Sequence, residues 1–160
     1  MNHIAPLARC WPLLGLAAAL LSPTARADRV DTPQLPVYQQ ECGACHMAYP
    51  PGLLPAASWQ HLMANLPRHF GSDASLDKAQ HQQIGRWLQA HAGTFKKVAR
   101  DPSPPPQDRI SLAPWFVRKH HEIAASTWQR KAIGSAANCA ACHAHAAEGN
   151  YSEHAVRIPQ

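Results

Sequence analysis

Cys42-Gly43-Ala44-Cys45-His46 and Cys139-Ala140-Ala141-Cys142-His143 repeat one spacing: two thiols three positions apart, with a histidine directly after the second. This spacing reads as covalent attachment of c-type haem. Two thiols on one helical turn can add across the two vinyl groups of a single porphyrin. The next residue, His46 or His143, then lies under the iron and binds it as proximal ligand. The small residues between the thiols let the porphyrin edge approach the backbone.

Three other uses of paired cysteines fit less well. A thioredoxin-like redox pair would sit in a βαβ pattern, and neither motif is so surrounded. Two such pairs sharing one zinc usually lie about 15–20 residues apart, whereas Cys45 and Cys139 are 94 positions apart. Structural disulfides suit an exported chain, but a C-x-x-C loop is poor geometry for one. Neither zinc nor a disulfide explains the histidine after both pairs. Two covalently bound haem c groups are therefore expected, held by Cys42, Cys45, Cys139 and Cys142.

The fifth cysteine, Cys10, belongs to a different segment. His3 and Arg9 begin it, residues 12–21 form an apolar core, and Ala25-Arg26-Ala27 gives a small-x-small cleavage pattern. That layout is a secretory signal peptide over residues 1–27, cleaved after Ala27. The core is about half the length needed to span a bilayer, so the mature chain is expected to be periplasmic and not membrane-spanning. Removing Arg9 and Arg26 from 15 basic residues leaves 13 against 10 acids, a mature charge of +3. So small and scattered a charge gives no case for nucleic acid. The chain is 46% hydrophobic, too much for a disordered protein. Its 160 residues allow one domain or two small ones.

Fifteen prolines argue against long helices and against regular sheet. An all-α fold of two small haem-binding units is expected. Residues 28–36 read as an unstructured lead, and 37–47 as a helix carrying the first motif at its end. Ser58 can cap a short helix with a stripe of Trp59, Leu62, Met63 and Leu66, ended by Pro67. Ser75 can cap a longer one with Asp77 in its first turn, Ile84, Trp87 and Leu88 on its apolar face, and Gly93 at its end. Trp59 and Trp87 read as core packing. Residues 101–108 hold four prolines and read as a semi-rigid spacer. That places an N-terminal haem unit at 28–100 and a C-terminal unit at 109–160. A helix is expected near 114–125, with Pro114 in its first turn. The second unit has few core residues, so its haem would serve as its core.

The far side of each iron decides the chemistry. A second protein ligand makes an electron carrier, and an open site allows gas binding or catalysis. The mature chain has only Met47 and Met63, both in the first half. For the first haem the spacing leaves His61, Met63 and His69. His69 is favoured, because Arg68-His69-Phe70-Gly71 can turn a side chain inward. For the second haem the histidines are 120, 121, 145 and 154. His145 is too close to His143 to cross the ring. His120 falls four residues after Phe116, on the same helical face.

These residues resemble the small dihaem cytochrome c family of exported bacterial proteins. The resemblance runs through Glu41-Cys42 to His46, then 49–55, Ser58-Trp59 and His69-Phe70-Gly71. In the second half it runs through Arg109-Ile110-Ser111, Pro114-Trp115-Phe116 with His120, and Asn138-Cys139 to His143. It implies a class I cytochrome-like first unit and a second unit with sparse secondary structure. It implies two low-spin bis-histidine haems, with His69 as distal ligand of the first iron and His120 of the second. The partners it implies are redox proteins: a membrane b-type cytochrome or a soluble high-spin c-type haem protein. No small-molecule substrate is expected. The rival is a dihaem redox enzyme or gas-binding haem protein with one open iron site.

Overall fold

A computed structural model describes residues 28–160. The signal-peptide reading falls on residues 1–27, outside the described residues. Among the described residues there are helices and 3-10 turns, three isolated β-bridges and no strand. The fold is all-α, as the sequence predicts.

Helices α1 (Pro36–Cys42), α2 (Ala56–Ala64) and α3 (Lys78–His91) enclose the main core. Tyr38, Leu54, Trp59, Met63, Leu66, Ile84 and Leu88 form it. Ile84 and Leu88 are four apart on α3 and are 0% and 1% exposed, so one stripe of the helix faces inward. The Trp59 indole donates to the Pro51 carbonyl, and Trp87 packs on Tyr38. Both tryptophans are thus packing residues, with the polar end of Trp59 satisfied inside.

Several element ends differ from expectation, each for a local reason. Helix α1 stops at Cys42, and Gly43 caps it by donating to the Gln39 carbonyl. The first motif therefore leaves the helix instead of finishing it. Helix α2 begins before Ser58, which is fully buried in its first turn. Asp77, not Ser75, caps α3: its side chain accepts from the Gln80 amide at 2.8 Å. Ser75 instead bonds to Asp73. Gly93 follows the end of α3 with φ +67°, the left-handed conformation expected of a glycine there.

Helix α4 (Lys96–Arg100) and the buried Phe95 and Val98 build a smaller core with Val30 and Leu53. Trp115 and Tyr151, from much later in the chain, pack onto it. Val30 is only 2% exposed. The Val30 amide donates to Gly149 and the Tyr151 amide to Asp28, with Arg29 bridged to Asn150. Residues 28–30 are therefore not an unstructured lead. They form an extended tie to the tail of the chain. The proline-rich stretch ends in a tight turn at Pro106–Asp108, where Gln107 and Asp108 have positive φ. Helix α5 (Pro114–Lys119) starts at its proline as predicted but ends at Lys119, with His120 as its C-cap. Beyond it come only α6 (Ala125–Trp128) and single 3-10 turns. Among the described residues, no helix is long and apolar enough to cross a membrane.

Candidate haem centres

Among the described residues, no disulfide joins Cys42, Cys45, Cys139 or Cys142. Cys42 packs against the main core. Among the described residues, no three His, Cys, Asp or Glu side chains converge as a bare metal site would require.

At the first motif, the His46 and His69 rings face each other with centroids 6.2 Å apart. His69 comes from the turn after α2. Its amide closes the 3-10 turn Leu66–Arg68, and the Ser72 amide then donates back to its carbonyl. Phe70 (φ +50°) and Gly71 (φ +98°) reverse the chain between them. That reversal directs His69 toward His46. His69 Nδ1 is buried with no hydrogen-bond partner. The Arg109 guanidinium lies 4.0 Å over the Phe70 ring. Burial lowers the His69 pKa, and neighbouring His46 and Arg109 lower it further.

The other first-half candidates lie elsewhere. His61 is 74% exposed and pairs with Asp108. Met63 is buried in the core stripe. His81 and His91 bond to the carbonyls of Met63 and Trp87.

At the second motif, the His120 and His143 rings also lie 6.2 Å apart. They line a cavity of about 590 Å³ together with Cys139, Cys142, Trp115 and Trp128. That volume falls within the roughly 300–1,000 Å³ of sites that enclose a ligand. His120 Nδ1 donates to the Phe116 carbonyl at 2.9 Å, and its ring stacks on the Phe116 ring at 4.0 Å. Burial lowers the pKa of both His120 and His143. His121 bonds to the Arg118 carbonyl and is 70% exposed. His145 pairs with Glu148.

The two sites fit a haem on donor chemistry and on spacing. Metal-bound imidazole must be neutral, and burial favours the neutral form at His69, His120 and His143. With metal–imidazole bonds of about 2.0–2.1 Å and a ring nitrogen about 1.1 Å from the ring centre, two imidazoles on opposite sides of one metal have centroids roughly 6.3 Å apart.

Sequence reasoning missed Tyr49 and Tyr151. The Tyr49 ring lies 4.8 Å from that of His46, and its hydroxyl donates to the Ala137 carbonyl at 2.7 Å, next to the second motif. Tyr151 meets the His143 ring edge-on at 5.4 Å. An aromatic three positions after His46 was the available signal for Tyr49. Tyr151 had none.

An all-α chain with two C-x-x-C-H motifs, each beside a facing histidine pair, has the makings of a multihaem c-type cytochrome. A dihaem cytochrome c family profile matches residues 38–151. The chain belongs to the dihaem cytochrome c family and carries two covalent c-type haems. It is similar to the crystal structure of DHC from Rhodobacter sphaeroides: 44% identity, covering 76% of this chain and 100% of that one, TM-score 0.64. It is also similar to the diheme cytochrome type c of Shewanella baltica OS155: 39% identity, coverage 79% and 94%, TM-score 0.68. A second Rhodobacter sphaeroides diheme cytochrome c structure is 44% identical, with coverage 75% and 98% and a TM-score of 0.67. The comparison with curated proteins gave no match.

Proposed function

We propose that this cytochrome is a periplasmic electron carrier with two bis-histidine haems and no substrate chemistry of its own. Cys42 and Cys45 hold the first haem, and Cys139 and Cys142 the second. His46 and His69 would hold the first iron, and His143 and His120 the second. The observation that carries this reading is the repeated 6.2 Å separation of the two facing imidazole pairs. Held by two histidines each, neither iron would offer a site for a gas or substrate.

When bound, each haem supplies one-electron Fe(III)/Fe(II) chemistry. The chain's own residues supply the rest. Burial favours the neutral form of His69, His120 and His143, which leaves their nitrogens available to a metal. At His46 and His120, Nδ1 donates to a backbone carbonyl. Such a bond fixes the tautomer and makes the opposite nitrogen a stronger donor. Apolar side chains such as Trp115 and Trp128 limit water at the second site. Bis-histidine ligation without methionine favours low potentials. The partners are redox proteins, a membrane b-type cytochrome or a soluble high-spin c-type haem protein, and not nucleic acid or a small molecule.

The test is spectroscopic. The ferric protein is expected to be low-spin at both haems, and carbon monoxide should leave the reduced spectrum unchanged. His69→Ala and His120→Ala should each convert one haem to high spin, while His121→Ala converts neither. A high-spin, carbon monoxide-binding fraction in the unaltered protein would overturn the proposal in favour of an open-site enzyme or sensor.

A further inference from the structure

The two facing pairs share a separation but not an orientation. The planes of the His46 and His69 rings are 29° apart, while those of His120 and His143 are 84° apart. Ring orientation matters at a haem because each imidazole donates most strongly into the iron d orbital perpendicular to its own plane. Two nearly parallel rings act on the same orbital and split the pair, which gives a low-spin ferric iron a rhombic electron paramagnetic resonance spectrum. Two crossed rings act on one orbital each. The pair then stays nearly degenerate, and the spectrum collapses toward a single feature at large g.

We infer that Phe116 is a positioning residue that holds His120 crossed to His143, giving the second haem a large-g signature and the first a rhombic one. The inference rests on the bis-histidine proposal above. Two contacts from one residue fix the His120 ring. The Phe116 ring stacks on it at 4.0 Å and 21°, which sets the plane. The Phe116 carbonyl accepts from Nδ1 at 2.9 Å, which sets the direction of the opposite nitrogen. Both contacts follow from i, i+4 geometry at the end of α5. Trp128 lies against both rings, with centroids 5.9 Å from His120 and 6.3 Å from Phe116. His120 therefore cannot turn toward parallel without leaving the stack and the hydrogen bond together.

The first site lacks this clamp. His46 is held by its bond to the Met47 carbonyl at 2.7 Å and by Tyr49, whose ring plane is 29° from its own. His69 Nδ1 has no partner to set its rotation. Tyr49 and His69 each lie 29° from the plane of the His46 ring.

The experiment is low-temperature electron paramagnetic resonance of the fully loaded ferric protein. It should show one rhombic low-spin signal and one large-g signal. In His69→Ala the rhombic signal should vanish and the large-g signal persist. Phe116→Leu removes the stacked ring but keeps the carbonyl. The large-g feature should give way to a more rhombic one, while Phe116→Tyr should retain it. If Phe116→Leu takes up only one haem, Trp128→Leu loosens the same clamp from a less buried position and carries the same two outcomes. Two rhombic signals in the unaltered protein, or an unmoved large-g signal in the loosened variant with two haems bound, would overturn the inference. A high-spin second haem would overturn the bis-histidine proposal instead, so the two failures are distinguishable.

Discussion

His120 and His121 are neighbours, yet the first is half-buried on the Phe116 ring and the second points to solvent. That difference was legible in the sequence, because Phe116 lies one helical turn before His120. The two attachment motifs were legible for a stronger reason: the chemistry of two thioether bonds and an adjacent ligand needs contiguous residues. The crossed ring planes were not, since rotation about a side-chain bond leaves no mark on spacing. Nor was the importance of Gly149. It has φ +72°, and a Cβ there would sit 1.9 Å from the Val30 carbonyl oxygen. An alanine would have to displace backbone as well as adopt a left-handed conformation. Gly149→Ala is expected to destabilise the protein by roughly 2 kcal/mol. A denaturation midpoint equal to that of the unaltered protein would show that the contact between residues 28–30 and 149–151 is dispensable.

At the scale of elements, hydrophobic period located α2 and α3, and punctuation located their ends less well. The sequence puts the N-cap at Ser75 and Asp77 in the first turn, two positions on. The choice depends on which side chain meets a free amide once the helix is packed, and Asp77 does so with Gln80. Asp77→Ala should therefore cost about 1 kcal/mol, while Ser75→Ala, at an exposed loop position, should stay within about 0.5 kcal/mol. Chemical denaturation of both variants separates the alternatives, and a larger loss for Ser75→Ala would contradict the cap. A similar ambiguity placed Ser58 at a helix start. Its burial beside Trp59 follows from the chain entering α2 two residues earlier, at Ala56. The short elements after α5 had little period to read. Their positions follow from cavity walls and single turns, not from an amphipathic face.

Across the whole molecule, the two motifs are joined by contacts that no local pattern announces. Residues 28–30 looked like a polar lead because their partners lie about 120 positions away. Asp28 ties Lys97 to the tail: Lys97 reaches its carboxylate at 3.3 Å, and Lys119, itself paired with Glu153, at 4.0 Å. Tyr49 makes the most direct connection. One residue stacks beside His46, donates its hydroxyl to Ala137, and so fixes the first motif against the backbone that leads into Cys139. The Cys139 amide donates to the same carbonyl, so the junction converges on one oxygen. Burial has pushed the Tyr49 hydroxyl up to about 12, so it remains a donor through the neutral range. Because that oxygen keeps its second donor, Tyr49→Phe loses one hydrogen bond without stranding its acceptor. The expected cost is about 1 kcal/mol. If the chain unfolds as one body, both haem environments should melt together in Tyr49→Phe, at a single lowered midpoint. Thermal unfolding followed by circular dichroism in the haem absorption region reads this directly. Two separated transitions in the unaltered protein, or an unchanged midpoint in the variant, would mean that the halves fold independently and that this hydroxyl does not link them.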